Sequence, residues 1–206
     1  MKKLLMAMFA LLLMAGCSSE PSQPAQTAKP QSKGPEFVTG RTAFQRLFMA
    51  ARGWARDAQP YRLESMVTAD SKGKEGKSAV WRAAFASALQ HGVKPYVWSG
   101  DEAPDGPPRG INPGTEDNYS PTNSSTQVFD TMFLKVDSDK ALEVAQKHGG
   151  EKLLAKEPDT PILYVVDWSK PTSELIWHVI YGANRNEAKL KVAVNASSGE
   201  FIRVEK

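Results

Sequence analysis

"PILYVVDWSKPTSELIWHVIYG", residues 161–182, carries two extended runs dense in β-branched and aromatic residues on either side of the turn segment "SKPTS". Each run is about eight residues long, too short for a typical helix, and Pro171 with its polar neighbours punctuates the middle. Such a stretch reads as two strands joined by a turn. Upstream, "DSDKALEVAQKHGG" from Asp137 predicts a short helix, with Asp or Ser available as N-cap and Gly149-Gly150 as its stop. Downstream, Leu190, Val192 and Val194 alternate with polar neighbours, "NASSG" turns the chain, and Phe201 to Val204 return as a last strand.

The same order occurs earlier in the chain. "TAFQRLFMAARGWARDA", from Thr42, sets Phe44, Leu47, Phe48, Ala51, Ala55 and Ala58 at helical spacing and predicts an amphipathic helix. After Pro60, "YRLESMVT" alternates as a strand, "DSKGKEGKS" supplies turn chemistry, and "AVWRAAFAS" and "GVKPYVWSG" follow as further extended stretches. Trp81 and Trp177 hold matching places in the two series, each in the middle of an apolar strand, where core packing is expected.

Residues 137–205 resemble a PepSY-type domain in the "ALEVAQKHGG" helix, the Trp-centred strand "LIWHVIYG" and the ending "LKVAVNASSGEFIRV", with Asn195 where that family commonly has Asp. The resemblance implies a non-enzymatic α+β module of exported or membrane proteins that binds or restrains a partner. The expected fold class is therefore α+β: two helix-on-antiparallel-sheet units, either separate or sharing one sheet. Their expected bounds are 39–126, including a polar loop at 99–126, and 127–206.

The amino-terminal residues give an address. Lys2 and Lys3 precede an apolar run, Leu4 to Met14, of eleven residues, too short to span a bilayer. Met14-Ala15-Gly16-Cys17 resembles the bacterial lipobox, which implies cleavage after residue 16 and acylation of Cys17. Cys17 is the only cysteine in the chain, so no disulfide can form within it, and use of its sulfur in a thioether explains a solitary thiol in an exported protein. Several acyl chains on one residue hold a membrane stably where one does not. With Ser18 following, the lipoprotein resemblance implies the outer membrane, facing the periplasm. Residues 17–38, rich in Pro, Ser and Gln, then read as a disordered tether.

Removing residues 1–16 takes away two lysines and no acid, so 24 basic and 23 acidic residues remain and the formal charge falls from +3 to +1. A near-neutral exported domain gives no reason to expect nucleic acid as a partner. Expected partners are the membrane, through the anchor, and an unidentified envelope protein, peptide or glycan. In the loop at 99–126, Asp101, Glu102, Asp105, Glu116 and Asp117 have oxygen ligands suited to a hard cation, yet their spacing is not that of a calcium loop, and solvated acids are expected. "TQVFDTMFLKV" after it reads as a strand apolar on both faces.

Catalytic signatures are few. His91, His148 and His178 stand singly; no paired-His zinc motif, no second Cys, no nucleophile elbow and no phosphate-binding glycine loop is present, "GKEGKS" at 73–78 having the wrong spacing and context. The expectation is a non-catalytic protein without cofactor or metal. An enzyme would have to use His178 together with carboxylates such as Asp130; a third reading is a structural part of an envelope complex. For ligand stacking the candidates are Trp98 and Trp168, which lie near strand ends; Trp54 could serve core or surface.

Overall fold

The computed structural model describes residues 34–102, 106–123 and 126–205. The expected signal sequence, Cys17 and most of the tether lie outside them. In chain order the elements are β1 (Val38–Thr39), α1 (Gly40–Trp54), β2 (Gln59–Ser65), β3 (Lys77–Ser78), β4 (Val80–Ser87), β5 (Gly92–Ser99), β6 (Gly110–Pro113), β7 (Asp117–Asn118), α2 (Ser138–Ala145), α3 (Glu151–Lys156), β8 (Ile162–Ser169), β9 (Glu174–Tyr181), β10 (Leu190–Asn195) and β11 (Phe201–Glu205). The protein is α+β, with helices packed on one face of a large antiparallel sheet.

That sheet is shared by both units. Its order is β11-β10-β9-β8-β2-β4-β5-β6, with β7 also on β5, while β1 and β3 pair apart from it. Read outward from the centre, β8 and β2 are the first strands of their units, β9 and β4 the second, β10 and β5 the third. Because β2 and β8 run antiparallel, strands follow in the same order outward on either side of the seam.

The correspondence reaches single residues. Trp81 on β4 donates its indole N–H to the Val38 carbonyl at 3.0 Å, two residues before α1 begins. Trp177 on β9 donates to the Val136 carbonyl at 2.9 Å, two residues before α2. Both rings are fully buried, so each satisfies its polar handle while filling the core. Each helix start is thereby hooked to the second strand of its own unit.

The two helix starts also meet. Thr39 caps α1 with no side-chain bond, and the free amides of its first turn are taken by the other unit: Gly40 N donates to Ser138 Oγ and Arg41 N to Asp137 Oδ1, each at 2.8 Å. Ser138 is fully buried and donates its own hydroxyl to the Gly76 carbonyl at 2.5 Å. Gly40 packs against both indoles; a β-carbon there would stand 2.6 Å from Trp177 Cη2 and 3.1 Å from Trp81 Cη2.

Between helices and sheet lies one apolar core. α1 contributes Ala43, Phe44, Leu47 and Ala51, α2 contributes Ala141, Leu142 and Ala145, and alternate strand residues such as Leu63, Phe85, Val166, Val179 and Val192 face them. Four expectations change. Residues 36–38, assigned to the tether by composition, are already joined to the domain, since Glu36 N donates to the Gly100 carbonyl and Val38 pairs with Ser78. Gly149, at φ +113°, does interrupt the second helix, but the chain makes a wide turn over 146–150 and resumes as α3. Gly150 lies against the Tyr181 ring there, with no room for a side chain. "TQVFDTMFLKV" is not a strand: Asp130 caps a 3-10 turn, accepting from Met132 N at 2.8 Å, and only Phe129 and Leu134 of its apolar residues are buried. The loop at 99–126 lays β6 and β7 along β5.

Candidate binding groove at the seam of the sheet

The two halves are joined along the seam by only three residue pairs, Arg62–Asp167, Leu63–Val166 and Glu64–Val165, against eight between β8 and β9. A bulge between Pro60 and Arg62 removes Tyr61 from the ladder and re-aims it, as bulges do. Beyond Asp167, β8 continues paired with β9 alone. The chain before the 3-10 turn crosses the start of β2, with Phe129 N donating to the Pro60 carbonyl at 2.9 Å. The sheet consequently opens where β2 and β8 part.

Tyr61, Arg62, Gln127, Asp167 and Trp168 line a hollow of about 240 Å³ in this opening. Tyr61, Arg62, Glu64, Arg82 and Ala84 line an adjoining one of about 340 Å³. The two hollows share Tyr61 and Arg62. Phe133 packs on Trp168 with ring centroids 5.3 Å apart and backs that indole. Among the described residues the buried side-chain polar atom without a partner is the Tyr181 hydroxyl, away from this hollow, and the indoles of Trp54, Trp81 and Trp177 donate to protein oxygens. Burial holds the Tyr61 phenol above its ordinary value, so the group presents a proton.

Charged side chains on the face opposite the helices run in one network. Arg203 bonds Glu205 at 3.0 Å; Glu205 reaches His178 Nδ1 at 2.8 Å; His178 Nε2 reaches Asp167 at 3.1 Å; Asp167 accepts from Arg185 at 3.2 Å. Across the seam, Arg62 donates to Glu64 at 3.1 Å, and Arg82 approaches Glu64 at 3.5 Å. A neutral imidazole has one N–H and an ionised carboxylate has none, so carboxylates at both ring nitrogens require the imidazolium. His178 is only 9% exposed. Burial alone would lower its pKa, but the bonds and charges of Asp167 and Glu205 outweigh that and raise it. Asp167 is likewise pushed up by burial yet held below its ordinary value by His178 and the nearby arginines. For Glu205 the His178 bond dominates and lowers it.

Asp167 lines the hollow beside Trp168 and also bonds His178, but Trp168 packs toward the helix-side core and the His178 network lies on the other face. Trp98 is elsewhere and buried at 4% exposure, with the Arg46 guanidinium 4.9 Å from its ring centre; little of that ring is left for a ligand. Asp130, the expected partner of His178, is spent on its turn. Asp167 and Glu205 take that role instead: an isolated acid inside the apolar run "YVVDW" was a visible signal, whereas Glu205 is brought in by strand order alone. Tyr61, Arg62 and Gln127 carried no sequence signal. Glu116 accepts from the Trp54 indole at 3.0 Å, Asp117 and Asp101 bond the following backbone amides, and Glu102 lies 3.7 Å from Arg109; Asp105 lies outside the described residues. No group of three or more metal-ligating side chains occurs among the described residues.

A larger hollow, about 690 Å³, lies between Phe37 and the loop Ala69–Lys77. Two of its three lysines have acid partners, Lys72 3.7 Å from Asp159 and Lys77 3.4 Å from Glu75, and only one aromatic ring lines it. The seam hollow, smaller but lined by two aromatic rings, is the better candidate.

No protein-family model matches the chain, and no curated protein is similar to it in sequence. Among solved structures it is similar to a candidate lipoprotein from Clostridium difficile 630, at a TM-score of 0.52 and 10% identity over 86% of this chain and 95% of that one. At that identity the likeness is one of fold. Among the described residues no helix is long and apolar enough to cross a membrane.

Proposed function

We propose that the protein is a bacterial envelope lipoprotein, anchored through Cys17 at the outer membrane and facing the periplasm, whose globular part binds a partner without catalysing a reaction. The anchor rests on the charged, apolar and lipobox-like order of residues 2–17, and the fold shared with a candidate lipoprotein is in keeping with it. Binding rests on one observation: the sheet opens at the seam into a hollow lined by Tyr61, Arg62, Gln127, Asp167 and Trp168. Concave sites with a few convergent polar groups are where ligands bind.

The non-catalytic reading draws on His178. Both its nitrogens are engaged by carboxylates on the sheet face, so it braces strands and has no lone pair to offer a ligand. The helix-then-strands order of residues 138–205 supports reading that half as a PepSY-like binding unit. Cross-linking of the native membrane-bound protein, followed by mass spectrometry, tests the proposal: captured partners linked through groove residues are expected. Cross-links confined to other faces, or a chain that turns over a substrate, would refute it.

A further inference from the structure

We propose that the hollow over Ala84, between Arg62 and Arg82, is a site for a phosphate group; it adjoins the seam hollow and rests on the binding role given above to this part of the sheet. Strand alternation sends Arg62, Glu64, Arg82 and Ala84 to the sheet face away from the helices, while Leu63 and Trp81 enter the core. In the network on that face Arg62, Arg82, Arg185, Arg203 and the imidazolium of His178 stand against Glu64, Asp167 and Glu205, five cations to three carboxylates. Asp167 is taken by His178 and Arg185, and Glu205 by His178 and Arg203. Arg62 and Arg82 share the single carboxylate of Glu64, so one of the surplus charges lies in their hollow.

Register explains the hollow. Glu64 on β2 is directly opposed by Arg82 on β4, and Arg62 is opposed by Ala84, so the two arginines stand diagonally with only a methyl group in the gap. The space of about 340 Å³ exceeds what a phosphate alone needs and leaves room for the group that carries it. A guanidinium has five N–H donors in a flat fork. Among the described residues Arg62 spends only Nε, at 3.1 Å, and Arg82 only Nη1, at 3.5 Å, the weak end of hydrogen bonding. A carboxylate ligand would bring the same planar oxygen pair that Glu64 already supplies. A tetrahedral phosphate brings further oxygens, which can take unspent N–H groups of both forks while Glu64 stays in place. Tyr61 lines the same hollow, and its phenol, kept protonated by burial, can donate as well. The next acid near Tyr61, Asp117 on β7, already accepts from the Asn118 amide.

The experiment is a nuclear magnetic resonance titration of the full chain in non-ionic detergent micelles at constant ionic strength, following the Nε–H resonances of Arg62 and Arg82. The probes, added separately, are inorganic phosphate, glycerol 3-phosphate, acetate, and micelles doped with phosphatidic acid or with diacylglycerol. Saturable movement with inorganic phosphate or glycerol 3-phosphate, and none with acetate, is expected of a soluble source; movement with phosphatidic acid alone assigns the same site to a lipid headgroup. Arg62→Met and Arg82→Met should each weaken binding about tenfold or more. Arg52→Met, the same loss of charge at an exposed position on α1, leaves it unchanged. Glu64→Gln frees both forks and should strengthen binding about threefold or more, a gain that a damaged fold cannot produce. Equal movement with acetate, silence of every probe, or unaltered affinity in both arginine variants overturns the phosphate site. Partners cross-linked at the seam hollow would then still stand, so the two readings fail separately.

Discussion

Replacing Gly40 by alanine separates packing from intrinsic helix preference. In an ordinary helix the change stabilises by up to about 1 kcal/mol, because glycine has more backbone freedom to lose. Here the new methyl would lie 2.6 Å from Trp177 Cη2 and 3.1 Å from Trp81 Cη2, inside contact distance of two fully buried rings that are fixed by their own hydrogen bonds. Overpacking of this kind costs about 1–3 kcal/mol. A shift of α1 to relieve it would stretch the 2.8 Å bond from Gly40 N to Ser138 Oγ, so the expected net effect is a loss of about 1–2 kcal/mol. The assay is a double-mutant cycle by urea unfolding with Trp177→Phe, which removes the crowded ring edge. Trp177→Phe is destabilising alone, but in that background Gly40→Ala should become neutral or stabilising, a coupling of about 1–3 kcal/mol. Stabilisation by Gly40→Ala in the native background, or equal effects in both backgrounds, would refute the reasoning.

The other predictions concern the polar joints and the anchor. Ser138→Ala leaves the Gly76 carbonyl and the Gly40 amide buried without their partner and should cost about 1–3 kcal/mol in the same assay. His178→Leu strands two partly hydrated carboxylates, and a loss of about 2–4 kcal/mol is expected. The pH dependence follows from the directions of shift. His178 is raised above its ordinary 6.5, so its contribution is complete below pH 6.5 and disappears as pH rises through the folded value. Asp167 and Glu205 are lowered from 3.8 and 4.5, so theirs is complete above those values and is lost on acidification. Urea midpoints should thus be highest between about pH 4.5 and 6.5, and the alkaline decline should vanish in His178→Leu; an unchanged decline would remove the imidazolium brace. Cys17→Ala should move the protein from membrane to soluble fractions, and retention at the membrane would end the lipid-anchor proposal.

Much of the architecture is legible because it obeys simple periods. The 161–182 hairpin, the α1 stripe from Ala43 to Ala51 and the paired tryptophans follow from alternation, helical spacing and the exclusion of large apolar rings from water. Sharing of one sheet is not so readable, since it depends on β2 and β8 finding each other across about a hundred residues. The groove is hidden for the same reason: Tyr61 faces it through a bulge, and Asp167 and Trp168 come to Arg62 only through that pairing. Around Asp130 a local side-chain bond to Met132 N defeats an apolar alternation. Trp98 looked open from its place near a strand end, but Gly100 and Arg46 pack over it, a covering that comes from other parts of the chain.

The short central ladder bears on how copies of the chain meet one another. Each half offers the other a first strand, and the passage between them, from Ser99 to Asp137, is long. Mating of β2 from one molecule with β8 of the next would remake the same three pairs, the same reciprocal helix caps and the same buried indoles. Refolding at high concentration is therefore expected to yield exchanged dimers in which the seam pairs survive. Shortening that passage until it can no longer reach back would turn such pairs into the predominant species.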